Sequence, residues 1–483
     1  MIHWANLLQH LGYFVLGLSL GLVPPTVFAF ANQDAGIAPL CQSLAIALVM
    51  GGCLLLFFRQ PPRELSRREG ILLVVGTWIA ASLLGALPFY LSPHFSSFSD
   101  AFFESASGFT TTGATVLEDV EALPNSLLLW RALTHWFGGM GIILLGIAIL
   151  PLIGAGGREL YRAEFSGARA EKLKPRIAQA ALALWKIYLA FTVLEFGVLW
   201  WAGMTPFESI CHTFSTLATG GFSTRNGSIE DFNSPLIEWI IIFFMILSGI
   251  NFTRHYRLFV ERKPASFFSD LETRSYFFLI AAAALMLTLD ITHTSDMSML
   301  QSVRPAVFQV VSIMTTTGFS SADFESWSPF SQLLLLVLMF VGGCTGSTAG
   351  GMKTARVILL KRVVAREFRR IVEPHGIFAV RFGGRAIPET TIQSLLNLVY
   401  LALLINFGAS ICLTALGMDV LTAISSVAAS MFNIGPGLGQ VGPSENYGPL
   451  PALAKWILSG CMLAGRLEYY TLLVLFTRPF WRK

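Results

Sequence analysis

Hydrophobic and polar positions alternate along this chain on the scale of whole helices. Apolar runs near 20 residues, the length that crosses about 30 Å of hydrocarbon, fall at 11–31, 39–58, 70–91, 126–150, 179–203, 235–253, 275–291, 330–349, 391–417 and 452–476. They predict an all-α integral membrane fold with about ten transmembrane helices. The polar stretches between alternate runs are basic: the blocks 59–68, 158–176, 254–274, 353–385 and 478–483 hold 27 of the 33 Lys and Arg residues. The positive-inside rule puts all five blocks, and with them both termini, on the cytoplasmic side. The pieces between paired runs then face outward, and their flanks are acidic: Asp100, Glu104, Glu118, Asp119 and Glu121, then Glu230 and Asp231, then Asp323 and Glu325. Acidic mouths raise the local concentration of cations. The first apolar run has no Lys or Arg before it and no small-residue cleavage pattern after it, so it reads as a retained helix.

Composition agrees with the pattern. Only 13% of the residues are charged and 54% are apolar, against about 25% charged in an average soluble domain. The net charge of +4 gives no reason to expect a nucleic-acid partner. Cys41, Cys53, Cys211, Cys344, Cys412 and Cys461 are scattered singly, so neither a disulfide framework nor a zinc site is indicated.

The outward pieces resemble one another. They read Ser107 to Thr115 (SGFTTTGAT), Ser215 to Ser223 (STLATGGFS), Ser312 to Ser320 (SIMTTTGFS) and Met431 to Gly439 (MFNIGPGLG). Aligned in this way they share a glycine, Gly113, Gly221, Gly318 and Gly437, at spacings of 108, 97 and 119 residues. About ten mildly apolar residues precede each loop (101–107, 207–215, 305–312, 421–429), enough for a half-membrane helix and too few for a span. Non-helical backbone at membrane depth is tolerated only where it is buried in protein or lines an aqueous path, and glycine gives it angles other residues avoid. Four such loops around one axis make stacked rings of carbonyl oxygens that replace the hydration shell of an alkali ion. The filter candidates are Thr111, Thr112 and Gly113; Thr219, Gly220 and Gly221; Thr316, Thr317 and Gly318; and Ile434, Gly435, Pro436 and Gly437. Thr111, Thr219 and Thr316 stand two residues before the shared glycine and offer hydroxyls at the cytoplasmic end, where the fourth loop has Gly435. The competing reading is that small residues merely let helices approach closely. Four loops at regular spacing argue against it.

These loops, with His135 to Gly141 (HWFGGMG), Gly343 to Lys353 (GCTGSTAGGMK) and Gly465 to Glu468 (GRLE), resemble the Trk/Ktr/HKT superfamily of cation transporters over essentially the whole chain. The likeness is strongest to its TrkH/TrkG branch of potassium uptake subunits. The resemblance implies four pseudo-symmetric helix–pore loop–helix repeats after two N-terminal helices: 1–69 for the helix pair, then repeats at 70–157, 158–263, 264–372 and 373–483. It also implies a multi-pass protein of the bacterial inner membrane, a homodimer with one pore per subunit, and a cytosolic TrkA-like regulatory subunit that binds nucleotides. In sodium-preferring relatives serine replaces the first filter glycine; Gly113 leans toward potassium as substrate, with no cofactor bound.

The segment Gly343–Gly351 interrupts an expected span, and its Gly, Ser, Thr and Ala residues cannot form a stable lipid-facing helix. It reads as a gate beneath the filter, through Gly343, Thr345, Gly346, Ser347, Gly350, Gly351 and Lys353, or else as a close-packing kink. A phosphate-binding P-loop is excluded, because Met352 stands where that motif needs lysine. Arg466 lies mid-span, where a charge is costly. Either it faces the cavity below the filter and contributes to gating, or it forms a buried pair with an acid such as Glu468. Lys186 is near enough to a helix end to snorkel, and His135 with Gly138–Gly141 reads as packing behind the first loop. The basic blocks 158–176 and 353–370 suit a membrane-surface helix or a docking surface for a regulator. The rival within transport is a sodium-preferring or nonselective carrier, or a coupled symporter using Glu195, Glu238 or Glu468. No clustered His/Asp/Glu or Ser/His set supports an enzyme.

Overall fold

The computed structural model describes residues 2–61, 63, 65–148 and 173–482. Most of the basic block 158–176, and the boundary expected between the first two repeats, lie outside the described residues. An N-terminal pair, α1 (Trp4–Asn32) and α2 (Ile37–Phe57), precedes α3 (Arg67–Gly85) and its one-turn extension α4 (Leu87–Tyr90). Then follow α5 (Phe98–Phe109), α6 (Asn125–Ala148), α7 (Leu173–Trp201), α8 (Pro206–Leu217), α9 (Pro235–Ser248), α10 (Phe252–Phe259) and α11 (Pro264–Phe268). The second half contains α12 (Leu271–Thr294), α13 (Met299–Met314), α14 (Pro329–Met339), α15 (Thr354–Val372), α16 (Glu389–Ala415), α17 (Val420–Met431), α18 (Ala452–Arg466), α19 (Tyr470–Leu473) and α20 (Arg478–Trp481). A hairpin of two-residue strands, Arg381–Phe382 with Arg385–Ala386, links α15 to α16.

The four short helices that end at the loops are α5, α8, α13 and α17. They run further than their apolar cores because polar caps start them. The Thr205 hydroxyl accepts from the Glu208 N–H at 3.2 Å while Glu208 answers the Thr205 N–H. Ser97 and Asp419 cap α5 and α17 through the N–H groups of Asp100 and Thr422. Each packs against the two flanking helices of its own repeat and one helix of the preceding repeat: α5 on α18, α8 on α6, α13 on α9, α17 on α14. That relation closes on itself after four steps, so the repeats form a ring. The pair α1–α2 stands outside it, with α1 against α3 and α6.

Six described helices are long and apolar enough to cross a bilayer, or seven with the bent pair α9–α10 counted as one. Three of the ten expected spans are not simple rods. The run 235–253 bends by 99° between α9 and α10. The run 330–349 is helical only to Met339, and 452–476 breaks after Arg466, where Glu468 and Tyr469 take φ of 56° and 54°, before the short helix α19. Hydropathy does not report these breaks, because a broken apolar segment has the same composition as a straight one.

Candidate ion-conducting site

The four short helices end alike. Thr111, Thr219, Thr316 and Asn433 have φ between 54° and 57°, the left-handed turn that closes a helix. The next N–H reaches back five residues: Thr112 to Ser107, Gly220 to Ser215, Thr317 to Ser312 and Ile434 to Ala429, all at 2.8 Å. This cap normally uses glycine. A β-branched residue there is an outlier, costing about 1–2 kcal/mol, and three threonines bear it in equivalent places. The negative ends of four helix dipoles thus converge on one point, a favourable setting for a cation.

Two residues on, Gly113, Gly221, Gly318 and Gly435 again have positive φ, from 79° to 108°. A Cβ at Gly113 would stand 2.0 Å from the Gly220 carbonyl oxygen, at Gly221 2.1 Å from that of Thr317, at Gly318 1.8 Å from that of Ile434, and at Gly435 2.8 Å from that of Thr112. Each glycine leaves room for the next repeat's carbonyl, and the fourth meets the first. This cycle corrects the alignment read from the sequence: Gly435, not Gly437, is the equivalent of Gly113, and Asn433, not Gly435, is the equivalent of Thr111. Gly437 lies beyond the ring against Val441 and Ser425. A cavity of about 90 Å³ opens on the ring, walled by the four glycines together with residues that include Arg131 and Glu445.

Side chains brace the ring from behind. Thr110 pairs with Thr112, and Thr315 with Thr317, hydroxyl to hydroxyl at 2.8 Å. Asn433 donates to the Thr112 hydroxyl at 2.9 Å and to the Met462 carbonyl at 3.1 Å. The Tyr447 hydroxyl donates to the Gly435 carbonyl at 2.8 Å. His135 stacks on Phe222 with centroids 4.1 Å apart, and a Cβ at Gly138 would meet the Phe109 carbonyl at 2.0 Å; both serve close packing. Asn433 and Tyr447 escaped the sequence reading, although a capping asparagine three residues before a Pro-Gly was a usable signal.

Beneath the ring, the interrupted segment bonds directly to the second, third and fourth repeats and reaches the first through Arg466. The Gly350 N–H donates to the Thr316 hydroxyl at 2.6 Å and the Gly351 N–H to the Phe432 carbonyl at 3.0 Å. Thr348 donates to the carbonyls of Leu217 (3.0 Å) and Ser248 (3.2 Å). Arg466, 3% exposed, donates to the Thr348 carbonyl at 3.1 Å and the Gly138 carbonyl at 3.0 Å, tying the segment to the first repeat. Upstream, Thr345 donates through its N–H (2.7 Å) and hydroxyl (3.0 Å) to Glu272, Ser347 to the Cys344 carbonyl, and the Gly346 carbonyl accepts from Phe252. Gly343 accepts from Thr354, and the Lys353 ammonium donates to the Ala349 carbonyl. Thr348 and Glu272 were not foreseen. Glu468 pairs with Arg356 at 2.6 Å rather than with Arg466.

Two of the expected mouth acids are not free. Glu104 is fully buried against Arg131 at 2.6 Å, and Asp100 is bonded to Lys455. Arg131 also lies 3.5 Å over the Phe222 ring and donates to the Ser223 carbonyl at 2.9 Å. Asp100–Lys455 joins the first repeat to the fourth, Arg131 ties Glu104 of its own repeat to Ser223 of the second, and the two carboxylates are neutralised locally.

A membrane protein whose four repeats close bare backbone into a ring at the buried ends of four half-length helices, over a bonded intramembrane loop, is a pore-loop transport protein. A TrkH family profile, described as a cation transport protein, matches residues 38–482. The chain is 40% identical to the "Trk system potassium uptake protein TrkH" of Escherichia coli K12 over all of both chains, and 33% identical to that organism's "Trk system potassium uptake protein TrkG", covering 98% of this chain and 97% of the relative. The crystal structure of the potassium transporter TrkH from Vibrio parahaemolyticus superposes with a TM-score of 0.93 at 38% identity, covering both chains fully. The chain belongs to the TrkH family of cation transport proteins. It is a transporter and not an enzyme.

Proposed function

We propose that this chain is the pore subunit of a potassium uptake system of the bacterial inner membrane. Potassium is its substrate and passes through the ring formed by Thr112–Gly113, Gly220–Gly221, Thr317–Gly318 and Ile434–Gly435, without a bound cofactor. The observation that carries this reading is the cyclic fit of each repeat's glycine to the next repeat's carbonyl, which holds oxygens at fixed spacing where an ion must shed water. The segment Gly343–Gly351 is the gate, held shut by Thr348 and Arg466. Both termini face the cytoplasm, and the protein works as a homodimer with a nucleotide-binding, TrkA-like cytosolic subunit that releases the gate. The test is tracer flux in liposomes holding the purified protein, comparing potassium, rubidium, sodium and lithium. Potassium and rubidium moving well ahead of sodium supports the reading; equal fluxes point to a nonselective carrier.

A second reading, proton-coupled uptake, rests on Glu195. This α7 carboxyl is fully buried, and neither oxygen has a hydrogen-bond partner among the described residues. The Thr216 hydroxyl beside it donates to the His212 carbonyl instead. An ionisable group so placed is a default candidate for a proton site. Glu195→Gln abolishing potassium-driven acid flux while sparing rubidium exchange favours coupling.

A further inference from the structure

The N-terminal helix pair stands outside the ring and has no part in the ion path, yet it builds a polar site at its basic end. A cleft of about 900 Å³ lies between the start of α1 and the end of α2, with Asn6, Gln9, His10 and Tyr13 on one wall and Arg59 and Arg63 on the other. Asn6 is 4% exposed, and its amide nitrogen has no hydrogen-bond partner among the described residues. A buried donor left unpaired is unfavourable unless something fills its place. The remaining polar groups are organised around it. His10 donates through Nδ1 to the Asn6 carbonyl at 2.8 Å, and the Gln60 N–H donates to the Gln9 side chain at 3.1 Å, pinning the chain after α2 against α1. The Tyr13 hydroxyl accepts from Gln9 at 3.4 Å and keeps its own proton to donate. Arg59 and Arg63 are exposed, and among the described residues neither forms an ion pair. Glu69, packed against the start of α1, accepts from the N–H groups of His3 and Ser66 and also lies within the field of the Arg63 charge.

The ligand this set recognises is an anion with several acceptor oxygens. Two guanidinium groups, an amide N–H and a phenol all supply donors. The surroundings supply the rest of the ligand. Leu55 and Leu56 line the same cleft, and Leu56 is 81% exposed. Trp4 stacks on Trp481 at this end with centroids 6.4 Å apart, the residue type that marks the membrane–water boundary. Basic pockets between transmembrane helices on the cytoplasmic side suit anionic headgroups.

We infer that the α1–α2 cleft binds the phosphodiester headgroup of an anionic phospholipid, with Arg59, Arg63 and Asn6 on the phosphate and Leu55 and Leu56 against the acyl chains. The test titrates the full-length protein in detergent micelles with phosphatidylglycerol, phosphatidylcholine and soluble glycerophosphate, counting retained ligand by native mass spectrometry. Phosphatidylglycerol is expected to be held at least about tenfold more tightly than phosphatidylcholine. Arg59→Gln/Arg63→Gln should erase that preference. Asn6→Leu keeps both arginines, removes an unpaired donor, and so should leave lipid-free thermal stability equal or higher while weakening phosphatidylglycerol about tenfold. Arg59→Lys/Arg63→Lys should retain preference for the anionic lipid. Equal retention of the two lipids, or variants that bind as the parent does, overturns the site. Displacement of the lipid by equimolar glycerophosphate overturns the lipid assignment in favour of a soluble phosphate.

Discussion

Replacing Gly435 and Gly437 separately by alanine tests the ring and its register in one experiment. Gly435 has φ of 108°, outside even the left-handed well, and an added methyl would lie 2.8 Å from the Thr112 carbonyl oxygen. Holding alanine there costs about 1–3 kcal/mol, which at 1.4 kcal/mol per decade leaves the closed ring about 5- to 150-fold less populated against relaxed loops. Relaxation turns the Ile434–Gly435 peptide, so the carbonyl layer loses one of its four members. At Gly437 φ is not positive, and the methyl would meet side-chain atoms, Val441 at 2.8 Å and the Ser425 hydroxyl at 3.1 Å, which can shift. The assay is competitive rubidium and sodium uptake into liposomes. Gly435→Ala should lose discrimination by about tenfold or more, and Gly437→Ala should stay within about threefold of the parent. The opposite order, with Gly437→Ala collapsing selectivity and Gly435→Ala preserving it, refutes both the register and the carbonyl layer.

Arg466→Ala removes two bonds from a charged donor, each worth about 1.5–3 kcal/mol, one of them to the Thr348 carbonyl. Basal cation leak without any regulator should rise by about tenfold, read in the same liposomes. Glu104→Gln strands Arg131, itself 3% exposed. Unfolding in detergent should shift by about 3–5 kcal/mol toward instability, and adding Arg131→Met should recover part of it. Beside the ring's cavity, burial and the neighbouring charges of Glu445 and Asp323, opposed by the Gly439 N–H, raise the Glu325 carboxyl to about 7. Between the ordinary carboxyl range and pH 7 the folded protein then binds more protons than the unfolded chain, so stability falls as pH rises through that window. The same deprotonation adds negative charge at the mouth, so uptake at subsaturating potassium should climb between pH 6 and 8. Glu325→Gln should flatten both trends, measured by detergent melts and initial uptake rates.

The sequence alone determined the membrane character and exposed four similar glycine-bearing stretches, the fourth without its register. These depend on hydropathy, spacing and the near-identical runs Thr110–Gly113 and Thr315–Gly318, all properties of local chemistry. It also exposed the unusual stretch Gly343–Gly351 and the mid-span Arg466, because small polar residues and a charge are conspicuous in an apolar run. Tertiary structure decided the rest. The fourth loop contains Gly435, Gly437 and Gly439, and only the approach of the Thr112 carbonyl selects among them. Glu104 and Asp100 read as mouth acids until the fold delivers Arg131 and Lys455 to them from other helices. The segment above Lys353 becomes a bonded crossbar because Leu217, Ser248, Thr316, Phe432 and Arg466, distant along the chain, meet it beneath the ring. A residue's type sets what it is able to bond, but which partner it meets is fixed only when helices from four repeats close around one centre.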